Sequence, residues 1–249
     1  MQHSDLVRQM RAVTVSREYG SGGGEVARRV ARQLGWRVVD HEIVGRVART
    51  LGVSEAEVEV HDEHVEGFVS RLLRSMQRVD PNLMAGAPVL SASAEEEEKR
   101  YQTALADVVQ AAVTDGHAVI VGRGSQALLA QRRDVLHVRV IAPLAVRVAY
   151  VIQREGLSQE DAQARIQLKD RTRMRYLQSA HNLQSDDPHL YDLVVNSAVL
   201  DLDSIASLIV TALEDKAKQL TVPVEQLGPR SGLARYPGHP GDLRPPIGR

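Results

Sequence analysis

The sequence predicts an α/β fold in which a parallel β-sheet of about five strands is flanked by helices. Five short, mostly apolar stretches alternate with longer segments of helical periodicity, and a cluster of glycines follows the first stretch. Parallel neighbours need crossover connections, so this alternation favours a sheet that is covered on both faces. The candidate strands are residues 12–15, 36–40, 118–121, 135–141 and 192–196.

Composition and charge restrict the classes of protein to which the chain can belong. Its 249 residues suffice for one large α/β domain with appendages, and a formal net charge of −1 gives no overall attraction to nucleic acid or membrane. The absence of cysteine excludes disulfides, thiolate metal sites and cysteine nucleophiles. No apolar run reaches the roughly 18 residues of a membrane span. We therefore expect a cytoplasmic protein with small-molecule partners, which is free to form homo-oligomers.

The first β-α-β unit is the most regular part of the pattern. The strand Ala12 to Val15 is followed by Val26, Val30 and Leu34 at helical spacing. A glycine then ends the helix, and Trp36 to Asp40 forms a second strand that ends in a carboxylate.

The remaining segments are predicted in the same way. Residues 41–76 are mainly helical and polar, 80–94 are typical of a loop, and 101–113 return to helical periodicity. Further helices are predicted at 144–154, at 158–179 and from about 203 to 218. Six of the ten prolines lie from residue 223 onward, so we expect a domain at 1–218 and a disordered tail at 219–249.

The loop after the first strand is rich in glycine and lies at the edge where parallel sheets bind ligands. Its backbone amides and the dipole of the next helix can hold a phosphate. The candidate phosphate-binding residues are Gly20, Ser21, Gly22, Gly23 and Gly24. A tight turn without a ligand is one alternative. A dinucleotide-binding loop is another, because GxGxxA is matched from Gly22 to Ala27 and Asp40 could bind a ribose.

Motifs at four places in the chain carry a resemblance to one enzyme family. TVSREYGSGGGE (14–25) lies where that family has a TIDGPSGAGKGT-like loop, and DHEIVGR (40–46) falls on its DSGAxYR segment. VIVGRGS (119–125) resembles its DGRDxGT pattern, and YDLVVNSAVLDLDSI (191–205) resembles its closing strand and helix. The family is cytidylate kinase, and a group named cytidylate kinase-like, with SREYGSGG, is closer still.

The resemblance implies a P-loop nucleoside monophosphate kinase-like fold. Residues 41–115 then form a helical acceptor-binding insertion and 155–185 a lid-like basic segment, while Asp40, Arg46 and Arg123 fall at acceptor-binding positions. It also implies ATP as phosphate donor, Mg²⁺ carried with the nucleotide, and an acceptor such as CMP. Judged without the family, Asp40 fits a helix N-cap equally well, and Arg123 fits an arginine paired with a carboxylate.

A basic stretch, KDRTRMR (169–175), resembles the arginine-rich lid of the same family. Arg165, Lys169 and Arg173 are spaced by four residues, as are Arg171 and Arg175, so one helix carries two cationic rows. Such rows repel unless an anion neutralises them, although a solvated helix face is the alternative. Lys169, Arg171, Arg173 and Arg175 are therefore catalytic candidates.

The chain departs from the family at the P-loop lysine. In the ungapped alignment that lysine falls on Gly23, and the first glycine of the loop falls on Arg17. Loss of the lysine costs several orders of magnitude in rate unless another cation replaces it. Arg17 is the predicted replacement, because it lies in the same loop and its planar fork can grip a phosphate at two points.

The leading functional hypothesis is a nucleotide-binding phosphotransferase that uses ATP and a small acceptor. A non-catalytic nucleotide-binding regulator on the same fold would explain the missing lysine, and a Rossmann-type dinucleotide-binding protein is the third hypothesis. No metal site made of protein ligands is predicted, since His61 to His64 (HDEH) fits a solvated helix face.

Overall fold

The computed structural model describes residues 7–40 and 94–228 and places five parallel strands in one sheet. The strands are β1 (Ala12–Arg17), β2 (Arg37–Val39), β3 (Ala118–Val121), β4 (Val135–Ile141) and β5 (Leu193–Asn196). They lie in the order β2-β3-β1-β4-β5. This confirms the predicted α/β fold with a parallel sheet of about five strands.

The described residues contain six α-helices, five of which match predicted helices. They are α1 (Gly23–Leu34), α2 (Ala94–Asp115), α3 (Ser125–Leu128), α4 (Leu144–Glu155), α5 (Gln159–His181) and α6 (Leu202–Lys218). Helix α2 begins seven residues before the predicted start at Tyr101. Its first turns (AEEEEKR) consist of good helix formers but show no apolar period, so the periodicity did not indicate them. Helix α3 is a single turn, too short to show a period.

Both faces of the sheet are buried, as the sequence predicts. Val13 and Val15 of β1 face a core that α1 and α6 complete, and Ala12 faces a second core under α2. All three side chains are fully buried. The alternation follows from the two-residue period of a strand.

The strand order fixes where a ligand can bind. The connection from β1 runs to β2 on one side, whereas the connection from β3 runs to β4 on the other side. A crevice forms where neighbouring strands send their connections in opposite directions, here at the carboxyl ends of β1 and β3. The glycine-rich loop follows β1 at this edge, and Arg123 follows β3.

The chain stays in contact with the domain for several residues after α6. The Arg133 guanidinium donates to the carbonyl oxygens of Gln219 at 2.5 Å and Val222 at 2.7 Å, and Leu220 packs against the main core. The tail predicted from residue 219 therefore begins with residues that contact the domain, and its disorder stays a prediction. The helical insertion predicted for 41–115 falls largely outside the described residues. None of the helices described is both long and apolar enough to cross a membrane.

We expect truncation to distinguish these contacts from the rest of the tail. A chain cut after Gly228 should have the same Tm as the full chain. A chain cut after Lys218 should have a lower Tm, because it loses Leu220 and both acceptors of Arg133. A loss of about 2 kcal/mol in the free energy of unfolding would lower Tm by roughly 5 °C. Calorimetry of the three chains measures this, and equal Tm values for the two truncated chains would contradict it.

Candidate functional site

The loop between β1 and α1 leaves backbone amides open at the start of the helix. Gly20 and Gly22 have φ angles of +81° and +75°, which glycine adopts without strain. Within the described parts of the chain, no acceptor takes the amide hydrogens of Gly23 or Gly24. Unpaired amides and the helix dipole together attract an anion, so the loop can hold a phosphate.

The side chain of Ser21 supports this loop from inside. Its hydroxyl lies 2.9 Å from the carbonyl oxygen of Glu18 and 3.1 Å from that of Val140, and the residue is buried. Its amide donates to Glu18 as well, at 3.3 Å, and its carbonyl accepts from the Ser197 hydroxyl at 2.7 Å. The structure therefore turns the Ser21 hydroxyl inward, and the predicted role of this residue in phosphate binding stays a prediction.

A cavity of about 250 Å³ lies at the carboxyl end of β1, between the loop and helices α4 and α5. It brings together most of the residues predicted to act in one site. Its lining consists of Arg17, Glu18, Tyr19, Gly20, Gly22, Gly23, Gly24, Glu25, Arg28, Val38, Asp40, Val121, Tyr150, Val151, Arg154, Glu155 and Arg173.

The side chain of Arg17 crosses the first turn of α1. A Cβ atom on Gly23 would lie 2.7 Å from the Arg17 Cβ and 3.2 Å from its Cδ, closer than side chains tolerate. The far end of Arg17 reaches β3, where a Cβ atom on Gly122 would lie 3.2 Å from Nη1. Arg17 therefore fills the space from which a lysine at residue 23 would start.

Several charges surround the Arg17 guanidinium. Burial, followed by the positive charge of Arg173, lowers the pKa of Arg17 to about 9, while the Asp40 carboxylate opposes the shift and Arg123 and Arg28 add to it. Burial also lowers the pKa of Arg173. Three other cations and one carboxylate thus act on Arg17, and of these groups Arg123 does not line the cavity. The cavity lining as a whole carries four arginines and four carboxylates, so the excess of positive charge is confined to the surroundings of Arg17, where it favours binding of an anion.

The backbone at Arg123 is strained. Its φ of +61° lies in the left-handed region between Gly122 at +74° and Gly124 at +62°. A left-handed conformation costs a residue with a Cβ roughly 1 kcal/mol or more, and such residues cluster at functional sites. A Cβ atom on Gly124 would lie only 2.7 Å from Nε2 of His181, at the end of α5, so the turn is also tightly packed.

Only one residue of the basic rows, Arg173, faces the cavity. Arg173 donates to the carbonyl oxygen of Arg17 at 3.2 Å and lines the cavity. Lys169, Arg171 and Arg175 are exposed and do not line it: Arg171 and Arg175 lie on another side of α5, and Lys169 lies one turn before Arg173. Arg46 lies outside the described residues, so its predicted role stays a prediction.

Several cavity residues could not be chosen from the sequence. They are Glu18, Tyr19, Arg28, Tyr150, Arg154 and Glu155. Arg28 is the exception, because it lies four residues after Gly24 and hence on the side of α1 that faces the loop, so its position in the sequence could have indicated it. Tyr150 and Arg154 share one face of α4, yet nothing in the sequence indicates that this face turns towards the loop.

Metal ligands do not cluster in the described parts of the chain. No group of three or more His, Cys, Asp or Glu side chains there could hold a metal ion. The HDEH segment from His61 to His64 lies outside those parts.

Comparisons with known proteins agree with the motifs. The family described as cytidylate kinase-like matches residues 12–199. The chain is 27% identical over 111 residues to the cytidylate kinase of Methanopyrus kandleri, which covers 41% of this chain and 58% of that protein. It is 33% identical over 99 residues to a uronate isomerase of Corynebacterium glutamicum, covering 40% of this chain and 19% of that protein.

The curated relatives therefore match only in part, since the chain spans about a fifth to three fifths of their lengths. Among solved structures, an uncharacterized protein from Eubacterium ventriosum has a TM-score of 0.54 and 16% sequence identity, over 82% of this chain and 98% of that one. This similarity supports the fold alone.

The contact between Arg17 and Gly23 leads to a prediction about stability. Gly23→Lys should lower Tm by about 3–10 °C, because overpacking of this kind costs roughly 1–3 kcal/mol. The double variant Arg17→Gly, Gly23→Lys should recover most of the loss, since the two changes are coupled.

Gly24→Lys is the matched control, because a Cβ atom on Gly24 would meet nothing within 4 Å. Thermal melts of these three variants, of Arg17→Gly alone and of the wild-type chain measure the coupling. If Gly23→Lys melts with Gly24→Lys, the space at residue 23 is not filled by Arg17.

Proposed function

We propose that this chain, which belongs to the cytidylate kinase-like family, transfers the γ-phosphate of ATP to a small anionic acceptor, with CMP as the first candidate. The observation that carries the proposal is that Arg17, Arg28 and Arg173 line one cavity beside open amides at the start of α1, with Arg123 near enough to act on Arg17. Phosphoryl transfer depends on positioning and on neutralising charge, and this arrangement supplies both.

Two neighbouring places, the cavity beside the loop and the edge of the sheet at Asp40 and Arg123, suit two substrates. The amides of Gly23 and Gly24 suit the donor phosphates, and Asp40 and Arg123 lie at the carboxyl ends of β2 and β3, where the acceptor would approach. An acceptor oxygen would bond to the γ-phosphorus while the bond from that phosphorus to the leaving ADP oxygen breaks. Mg²⁺ bound to the nucleotide would neutralise phosphate charge, and the carboxylates of Asp40 and Glu25 are the cavity groups suited to accept from its water ligands.

Arg17 and Arg173 are the cations placed to stabilise the transferring phosphoryl group. Arg17 lies between the glycine-rich loop and the end of β3, and Arg173 lies next to it on α5. Their planar guanidinium groups can each donate two parallel hydrogen bonds to phosphate oxygens. In this proposal, Arg17 at the end of β1 and Arg173 on α5 supply the positive charge that a P-loop lysine would otherwise provide.

A nucleotide-binding regulator is the second candidate, and the glycine at residue 23 is the observation that favours it. A site without a dedicated cation on the helix start could bind a nucleotide and yet leave its phosphates intact. Both candidates use the same cavity, so they differ only in turnover.

Arg17→Ala should lower kcat at least about a hundredfold, comparable to the loss of a dedicated electrostatic stabiliser. The assay follows conversion of ATP in the presence of CMP and other monophosphates. Arg29→Ala is the control, since Arg29 lies on α1 but pairs with Asp203 at 2.7 Å, away from the cavity.

The outcomes separate the two candidates. The regulator would be established if the wild-type chain binds ATP without converting it and Arg17→Ala only weakens that binding. An active wild-type chain with an equally active Arg17→Ala variant would move the catalytic role to Arg173 and the exposed lid residues Lys169, Arg171 and Arg175.

Arg123 should show opposite effects on binding and on stability. Arg123→Gly removes the left-handed strain, so Tm should stay level or rise by a few degrees, while acceptor affinity falls at least about tenfold. Arg123→Lys keeps the strain and the charge but lacks the planar fork, so affinity should recover only in part. Calorimetric titration with CMP and with ATP measures both; equal losses for both ligands would place Arg123 outside the acceptor site.

A further inference from the structure

The backbone of Tyr19, in the middle of the glycine-rich loop, is held by two side chains from outside the loop. Asp170 of α5 accepts a hydrogen bond from the Tyr19 amide at 2.8 Å. Its other oxygen lies 2.6 Å from Nη1 of Arg147 on α4, and that nitrogen donates to the Tyr19 carbonyl oxygen at 3.2 Å. One carboxylate and one guanidinium therefore satisfy both backbone polar groups of Tyr19 and link the loop with α4 and α5.

Arg147 has little freedom to move. It is only 9% exposed, and its Nε donates to the carbonyl oxygen of Ala142 at 3.0 Å. The same nitrogen lies 3.5 Å from the Glu18 carboxylate, which also accepts from the Ala142 amide at 3.0 Å. A buried guanidinium with acceptors on several sides has few alternative positions, so it forms a rigid connection between the loop and α5.

Asp170 also lies near the lid arginine that faces the cavity, with one carboxylate oxygen 3.9 Å from Nη1 of Arg173. Arg173 follows it by less than one turn of α5 and places its guanidinium 5.4 Å from the centre of the Tyr19 ring. Arg173 lies beside Arg17, whose charge repels it, and burial lowers the pKa of both groups. Repulsion and desolvation both favour movement of Arg173 into solvent, so an attachment of α5 to the loop is needed to keep it in place.

We propose that Asp170 is a positioning residue, which keeps α5 closed on the glycine-rich loop and so holds Arg173 in the cavity before any nucleotide binds. The inference rests on the proposed function, because the position of Arg173 affects a rate only if phosphate is transferred there. A cation that is already in place needs no reorganisation when the substrate arrives. Such preorganisation would offset the loss of the lysine from the loop.

A double-mutant cycle tests whether Asp170 acts through Arg173. Asp170→Asn keeps an acceptor oxygen for the Tyr19 amide but removes the charge that binds Arg147. We expect kcat to fall about tenfold or more, with a change of less than about threefold in KM for ATP, because misplacement of a catalytic cation affects mainly the transition state. In an Arg173→Ala background the same substitution should change kcat by less than about twofold.

Equal losses of kcat in the two backgrounds would overturn the proposal, since a merely structural role of Asp170 would not depend on Arg173. Glu160→Gln is the control, because Glu160 is an exposed carboxylate in the first turn of the same helix. Its kcat should match that of the wild-type chain.

Hydrogen exchange of the nucleotide-free chain gives a second readout that does not need activity. Amides of residues 169–177 should exchange at least about fivefold faster in Asp170→Asn than in the wild-type chain or Glu160→Gln, because α5 opens more often. Equal exchange in all three chains would overturn the closed attachment. If the wild-type chain transfers no phosphate but exchanges more slowly than Asp170→Asn, the proposed function alone is refuted, and the attachment of α5 to the loop stands.

Discussion

The packing of Arg17 against the bare backbone of Gly23 determines where the positive charge of the site lies. Because residue 23 has no Cβ, the arginine stem passes over the first turn of α1 and its guanidinium reaches the end of β3. A side chain at residue 23 would occupy the same space. The cation therefore comes from the end of a strand, and the amides at the start of the helix stay uncovered for a ligand.

The electrostatics of the cavity follow from this arrangement. The chain as a whole carries a formal net charge of −1, so the positive field is local to the arginines around β1 and β3. Burying cations together is unfavourable, and the guanidinium tolerates it better than an ammonium because it is delocalised and weakly hydrated. At neutral pH Arg17 stays charged even with a pKa of about 9. The site thus keeps an unfavourable charge density that an anion can relieve.

The sequence predicted the framework better than the directions of the side chains. The strands could be predicted because a short run of β-branched residues that ends in glycine or a carboxylate is recognisable from neighbouring residues alone. The predicted and observed limits of β4 are the same. Arg173 lines the cavity and Lys169, one turn before it on α5, does not, because the packing of α5 on α4 and the loop decides which turn of the helix meets the cavity. Nothing in the sequence indicates the role of Asp170 and Arg147, because their shared partner is the backbone of Tyr19, more than a hundred residues earlier in the chain. The direction of the Ser21 hydroxyl could not be predicted for a related reason, because a hydroxyl in a glycine-rich loop can face either a ligand or the interior.

The central place of β1 has a consequence for how the chain acquires its fold during synthesis. Ala12 pairs with Ala118 on one side and with Val135 on the other, both far along the chain. The strand that carries the glycine-rich loop thus leaves the ribosome long before either of its neighbours exists. Until then its apolar residues have no sheet to join, and the loop cannot be organised by the carboxyl end of β4 or by α5. The earliest segment of the domain to be translated is therefore among the last to reach its native surroundings, and it is the segment in which chaperone protection would matter most.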